Sequence, residues 1–208
     1  METISFPHFS PDRSTVHAAL YTNVTNGAAL RKRIIDAAVI EGEDGERERD
    51  AVNFAFIDAR LITSRLHLQT AIYQAILAEA QGALRTRTVH SEVIWALNPT
   101  NNITEALRRY GVSEKTTAVI VVRIDGPEEG VEEKIAAAVA GTLTPFTELD
   151  TVTDWAAVKK ASAAFNDARR ATYATPPQYN KLNNDPDASK ARIDNIVVSM
   201  VAMKSVMS

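Results

Sequence analysis

Cysteine does not occur in the 208 residues. Its absence excludes a disulfide framework, a thiolate nucleophile and a thiolate zinc site together. Aromatic residues are sparse at 6%, and the eight glycines and eight prolines form no repeat, which excludes collagen-like and low-complexity designs. Long apolar runs are missing too. The run Ala118–Val122 with Ile124 falls far short of the roughly 20 residues that span a bilayer. Met1–Ser10 has neither a basic n-region nor an apolar h-region, so no secretory signal is expected there, and the sequons at Asn23 and Asn102 carry little weight. The phosphate loop, the dinucleotide fingerprint, the paired-histidine zinc motif and the nucleophile elbow are all missing. His8, His17, His67 and His90 are scattered, with no i, i+4 pair. No metal, no cofactor and no enzymatic activity are expected.

What remains is an ordinary globular composition, 45% apolar and 24% charged. The net charge of −3 is unevenly spread. Glu41–Asp50 holds six acids and two arginines, a net of −4, so the rest of the chain carries +1. A weak overall acidity therefore does not speak against an anionic partner. The absence of apolar residues in Glu41–Asp50 predicts a loop insertion.

Periodicity predicts strands at Thr15–Tyr21 and Val52–Ile57, and a central strand buried on both faces at Thr116–Ile124. A further strand is expected within Thr142–Leu149. Helices are expected over Ala28–Ile40, Arg60–Gln81 (closed by Gly82), Val89–Leu97, a segment capped by Asn102 and closed by Gly111, Val131–Ala140, Asp154–Phe165 and from Ala188 onward. Asn166–Ser189, with Pro176-Pro177 and Asn183-Asn184, reads as a second, polar loop insertion. The expected fold class is α/β (α+β), a single domain over residues 1–208. Its small mixed or antiparallel sheet is flanked by helices, and its C-terminal helix is apolar on two sides.

Two regions stand out. Leu84–Gly111 concentrates polar groups: Arg85, Arg87, Arg108 and Arg109 as phosphate-binding cations, and the amide-rich Asn98–Asn102 as a reader of bases or sugars. The same residues also suit helix ends, where basic groups complement the dipole and Asn caps. His90, or Ser91 beside Glu92, forms the only candidate for nucleophilic or acid–base chemistry, a small hydrolase at most. Ser91-Glu92 equally fits the first turn of a helix. In the last helix Ile193, Ile196, Val197, Met200, Met203 and Met207 form an i, i+3, i+4, i+7 stripe, while Val198, Val201 and Ala202 are apolar on another side. Such a helix is either fully buried core or a partner surface whose methionines adapt to a second protein.

Thr86-Arg87-Thr88, Ser91-Glu92, Asn101-Asn102-Ile103, Glu105-Ala106-Leu107 and Gly111, followed by the run to Ile124, occur in an order and spacing that resembles a known family. It is the family of the small kinase-binding subunit of the EKC/KEOPS complex, the TPRKB-like (PRPK-binding) proteins. The resemblance is strong over Arg85–Ile124 and holds by element order elsewhere. It implies a non-catalytic subunit that binds and regulates the small atypical kinase/ATPase of the complex, meets the other subunits indirectly, and helps bind the CCA 3′ end of tRNA for threonylcarbamoyladenosine modification. In fungi it also implies links to telomere maintenance and transcription, and residence in nucleus and cytoplasm. Carried onto this chain, the tRNA contacts are Arg85, Arg87, Ser91, Glu92, Asn101, Asn102, Arg108 and Arg109. The kinase face is Ile193, Ile196, Val197, Met200, Met203 and Met207. A purely structural adaptor without RNA contact is the alternative.

Overall fold

Val119–Asp125 (β4) decides the architecture, because every residue from Val119 to Ile124 is buried. The computed structural model describes residues 1–126, 130–160 and 186–207. In it β4 lies between β2 (Thr15–Thr22) and β3 (Ala55–Asp58), with both pairings antiparallel. β1 (Glu2–Ser5) and β5 (Thr142–Thr144) share the outer edge of β2, the first along Thr15–Ala18 and the second along Leu20–Thr22.

The period of two sorts β4 onto two cores. Ile120, Val122 and Ile124 join Val16, Ala18, Leu20 and Ile57 beneath α3 (Arg65–Ala80) and α4 (Val89–Leu97). Val119 and Val121 join Tyr21, Phe54 and Phe56 beneath α1 (Gly27–Ala37) and α6 (Val131–Ala138). Antiparallel sheets commonly leave one face to water, but helices cover both faces here, which is why the strand lacks the usual polar alternation. Each fully buried Val or Ile contributes about 1.5–3 kcal/mol. The remaining helices are α2 (Gly42–Ala51), α5 (Ile103–Tyr110), α7 (Leu149–Val152) and the C-terminal helix Pro186–Ala202, which continues into a terminal turn Lys204–Met207. Residues 155–160 are helical, and Asp154 caps them by accepting from the Ala157 amide.

Several expectations need correction. Glu41–Asp50 is not a loop: nearly all of it lies in α2. The stretch lacks a core-facing stripe and is held by charge. Arg33 pairs with Glu48 at 3.0 Å, and Arg49 donates to the carbonyls of Ile40 and Ala37 at the end of α1. Gly45 allows the close approach, since a Cβ there would stand 2.1 Å from the Ile40 oxygen. The helix expected from Arg60 starts at Arg65, with Ser64 as its cap, after a separate 3-10 turn Ala59–Leu61. Gly82 closes it in the left-handed region (φ 63°), as expected. The strand expected within Thr142–Leu149 stops at Thr144 and gives way to a 3-10 turn, Phe146–Glu148. β1 has no counterpart in the sequence reading. Residues 186–189 of the second expected loop belong to the C-terminal helix, and its other residues lie outside the described ones.

Candidate functional site

α4 is the axis of the polar region. Its N-terminus is a full capping box: the Thr88 hydroxyl accepts from the Ser91 amide, and Ser91 Oγ accepts from the Thr88 amide. Ser91, a candidate RNA contact and nucleophile, is therefore occupied in shaping the helix entry. Glu92, in the same first turn, is 1% exposed. Its Oε2 accepts from the amides of Arg85 (3.0 Å) and Thr86 (2.9 Å) and from the Thr86 hydroxyl (2.7 Å). This carboxylate holds the preceding loop from the inside and offers nothing to solvent. Arg85 and Arg87 ride on that loop, both exposed.

At the other end, about 13 Å along a nine-residue helix, Asn98 is fully buried. Its amide donates to the Thr100 carbonyl and hydroxyl and to the Asn102 carbonyl, folding residues 98–102 around it. Asn101 is left exposed. Asn102 is the N-cap of α5, accepting from the Glu105 amide at 3.0 Å. Arg109 is engaged by Glu105 at 2.5 Å, whose second oxygen accepts from the Thr100 hydroxyl, while Arg108 is exposed. The eight candidate RNA residues thus divide. Arg85, Arg87, Asn101 and Arg108 face solvent, Ser91, Glu92 and Arg109 build the surface that presents them, and Asn102, exposed as well, is committed to capping α5.

Sequence reasoning missed Lys204. It is 6% exposed, donates to the carbonyls of Trp95, Asn98 (2.6 Å) and Thr100 (3.2 Å), and lies 3.6 Å from the centre of the Trp95 ring. The Trp95 carbonyl already accepts the Asn98 amide but keeps a second lone pair, and the aromatic face attracts cations, so this is a natural seat for an ammonium. Burial pushes its pKa down to about 7, and the negative charge of Glu92 opposes that push. A basic residue between Met203 and Met207 of the methionine-rich stripe was the signal in the sequence, and it did not reveal a partner about a hundred residues away.

His90 is 4% exposed and fully used. Its Nε2 accepts from the Ile124 amide, which makes Nδ1 the protonated nitrogen, donating to Asn53 Oδ1 at 2.8 Å. Burial, with Arg123 and Arg13 adding to it, lowers its pKa to about 3.

The C-terminal helix turns Ile193 and Val197 into a small cluster with Val158, and buries Val201 in the main core. Ile196 and Met200 are half-buried, and Met203 is 41% exposed. The side chain of Met207 lies outside the described residues. Further anchors are Asp194, which accepts from the Thr63 hydroxyl at 2.6 Å, and Lys190, bound to Asp150 at 2.8 Å. The crevice beneath this helix, walled by Leu97, Tyr110, Val197 and Met200, measures ≈ 20 Å³, too small for an organic ligand.

These features define the class: an α+β protein with an antiparallel sheet sheathed by helices, polar loops fixed from within at both ends of one buried helix, and a C-terminal helix locked onto them. The model of the kinase-binding protein CGI-121 family matches residues 21–205, and the chain belongs to that family. Among its relatives, the EKC/KEOPS complex subunit CGI121 of Cryptococcus neoformans is 34% identical over 77% of this chain and 86% of its own length. The subunit of the same name from Neurospora crassa is 31% identical over 98% of each chain. The one from Aspergillus fumigatus is 34% identical, with 77% and 82% covered.

Proposed function

We propose that this protein is the non-catalytic small subunit of an EKC/KEOPS complex, which binds and regulates the small kinase of the complex and helps recruit tRNA through its single-stranded 3′ end. Family membership and the names of the relatives support the kinase contact. The observation that carries the RNA contact is the rigid presentation of Arg85 and Arg87: Glu92 fixes their loop through two backbone amides and the Thr86 hydroxyl. Exposed guanidinium groups on an ordered loop suit the phosphates of an unpaired strand, and exposed Asn101 suits a splayed base edge. Threonylcarbamoyladenosine chemistry stays with other subunits.

The test is binding of a tRNA transcript, with and without its CCA tail, across a salt series. Tighter binding of the tailed transcript, weakening with salt and lost in a folded Arg87→Glu variant, supports the reading. Equal affinity for the two transcripts rejects the assignment to the 3′ end. The structural use of Ser91, Glu92, Asn102 and Arg109 favours a second reading, an adaptor without RNA contact, for which neither transcript binds.

A further inference from the structure

Lys204 touches both halves of the region to which two functions have been assigned. It belongs to the terminal turn that follows Met203, the exposed methionine of the candidate kinase face. Its ammonium is held by the carbonyls of Asn98 and Thr100, in the loop that carries Asn101. It also feels the charge of Glu92, the residue that fixes the Arg85–Arg87 loop. Along α4, Glu92 Oε1, Trp95 Nε1 and Asn98 Oδ1 are buried without a hydrogen-bond partner among the described residues. The two oxygens among these atoms are acceptors without a donor, and the Lys204 ammonium seated at the end of the helix supplies positive charge that compensates them.

We propose that Lys204 is a positioning residue that couples the C-terminal helix to the polar loops at both ends of α4, so that a kinase bound on the outer face of that helix tightens RNA binding at the loops, and RNA tightens kinase binding by the same factor. The inference rests on the function proposed above and concerns its regulation. A protein seated on Met200 and Met203 restrains the helix that delivers Lys204. Restraint keeps the ammonium in its carbonyl cage, and the 98–102 loop stays folded around Asn98. Thermodynamic linkage then makes the effect reciprocal.

The experiment measures tRNA affinity of the full chain with and without a saturating amount of the kinase subunit from the same complex. It compares the natural chain with Lys204→Met, which keeps the length and apolar stem while removing the cation. The natural chain is expected to bind tRNA about 5-fold or more tightly when the kinase is present. In Lys204→Met that ratio falls to near one while kinase affinity stays within about twofold. An unchanged ratio in the variant overturns the proposal, as does a ratio of one in the natural chain, and both results leave the RNA-binding reading standing. Failure of the natural chain to bind tRNA under either condition rejects the RNA-binding reading and the coupling with it. If Lys204→Met does not fold, hydrogen exchange of the natural chain decides: slower exchange at residues 98–102 on adding kinase supports the coupling, and unchanged exchange overturns it.

Discussion

His90 Nε2 accepts the backbone amide of Ile124 at 2.9 Å, completing a rung of the sheet that β3 is too short to complete. β3 pairs with β4 only as far as Ala55 and Val122, so the Ile124 amide lies beyond the ladder and a helix side chain takes the place of a strand. An amide buried without a partner costs about 1–3 kcal/mol. The histidine is therefore a structural bond between α4 and the sheet, and it performs that task only when neutral.

Acid should unfold the protein through this bond. The pKa of His90 is lowered to about 3, and that of His67, buried in the first turn of α3 with only Asp194 opposing the shift, to about 4. Between these values and the ordinary 6.5, the unfolded chain binds protons that the folded chain refuses. Stability thus falls as pH drops below about 6.5, by up to about 1.4 kcal/mol per pH unit for each histidine. Urea melts at pH 7, 5.5 and 4.5 should show this loss, and His90→Gln should remove about half of the pH dependence, leaving the share of His67.

Glu92→Ala should destabilise the fold by about 3 kcal/mol, since it strands two amides and a hydroxyl and leaves Lys204 without its nearest opposing charge. Glu92→Gln, which keeps one acceptor oxygen, should cost less. Chemical denaturation of the two variants measures the difference, and equal losses would show that the charge, not the acceptor oxygen, carries the effect.

The C-terminal stripe should split by depth. Ile193→Asp and Val197→Asp bury a carboxylate at positions 7% and 6% exposed and should unfold the helix. Met203→Asp, at a position 41% exposed, should preserve the melting temperature within a few degrees and abolish co-purification with the kinase. Kinase binding by a folded Met203→Asp variant would move the interface elsewhere.

Gly45→Ala should destabilise α2 by about 1–3 kcal/mol, because the added methyl group meets the Ile40 carbonyl. The damage should stay local. Circular dichroism should show a small loss of helix, and tRNA affinity should be unchanged.

How much of this was legible in the sequence depends on how local the cause is. Val89–Leu97, the Asn102 cap and the Gly82 stop are set by residues within one helical turn, and the structure shows each where the pattern places it. The central position of β4 was readable because burial on both faces leaves no polar alternation. The acidic helix was not, because its tethers, Arg33 and the carbonyls of Ala37 and Ile40, belong to the preceding element. In the candidate site, arginines on a loop were visible as cations. The inward turn of Glu92 was not, because an acid in the first turn of a helix reads as solvated, and the cage around Lys204 was not, because a pairing across about a hundred residues leaves no periodic mark.

The short strands on the rim of the sheet have a consequence for how this molecule meets others. The outer edge of β2 is divided between four residues of β1 and three of β5, and on the opposite side the Gly111 backbone bridges Ile57 at the edge of β3. Among the described residues no long ribbon of open amides and carbonyls is on offer, so an incoming chain has little there to extend by adding a strand. Recognition is left to side chains on helices and loops, where a single substitution can change one partnership and spare another.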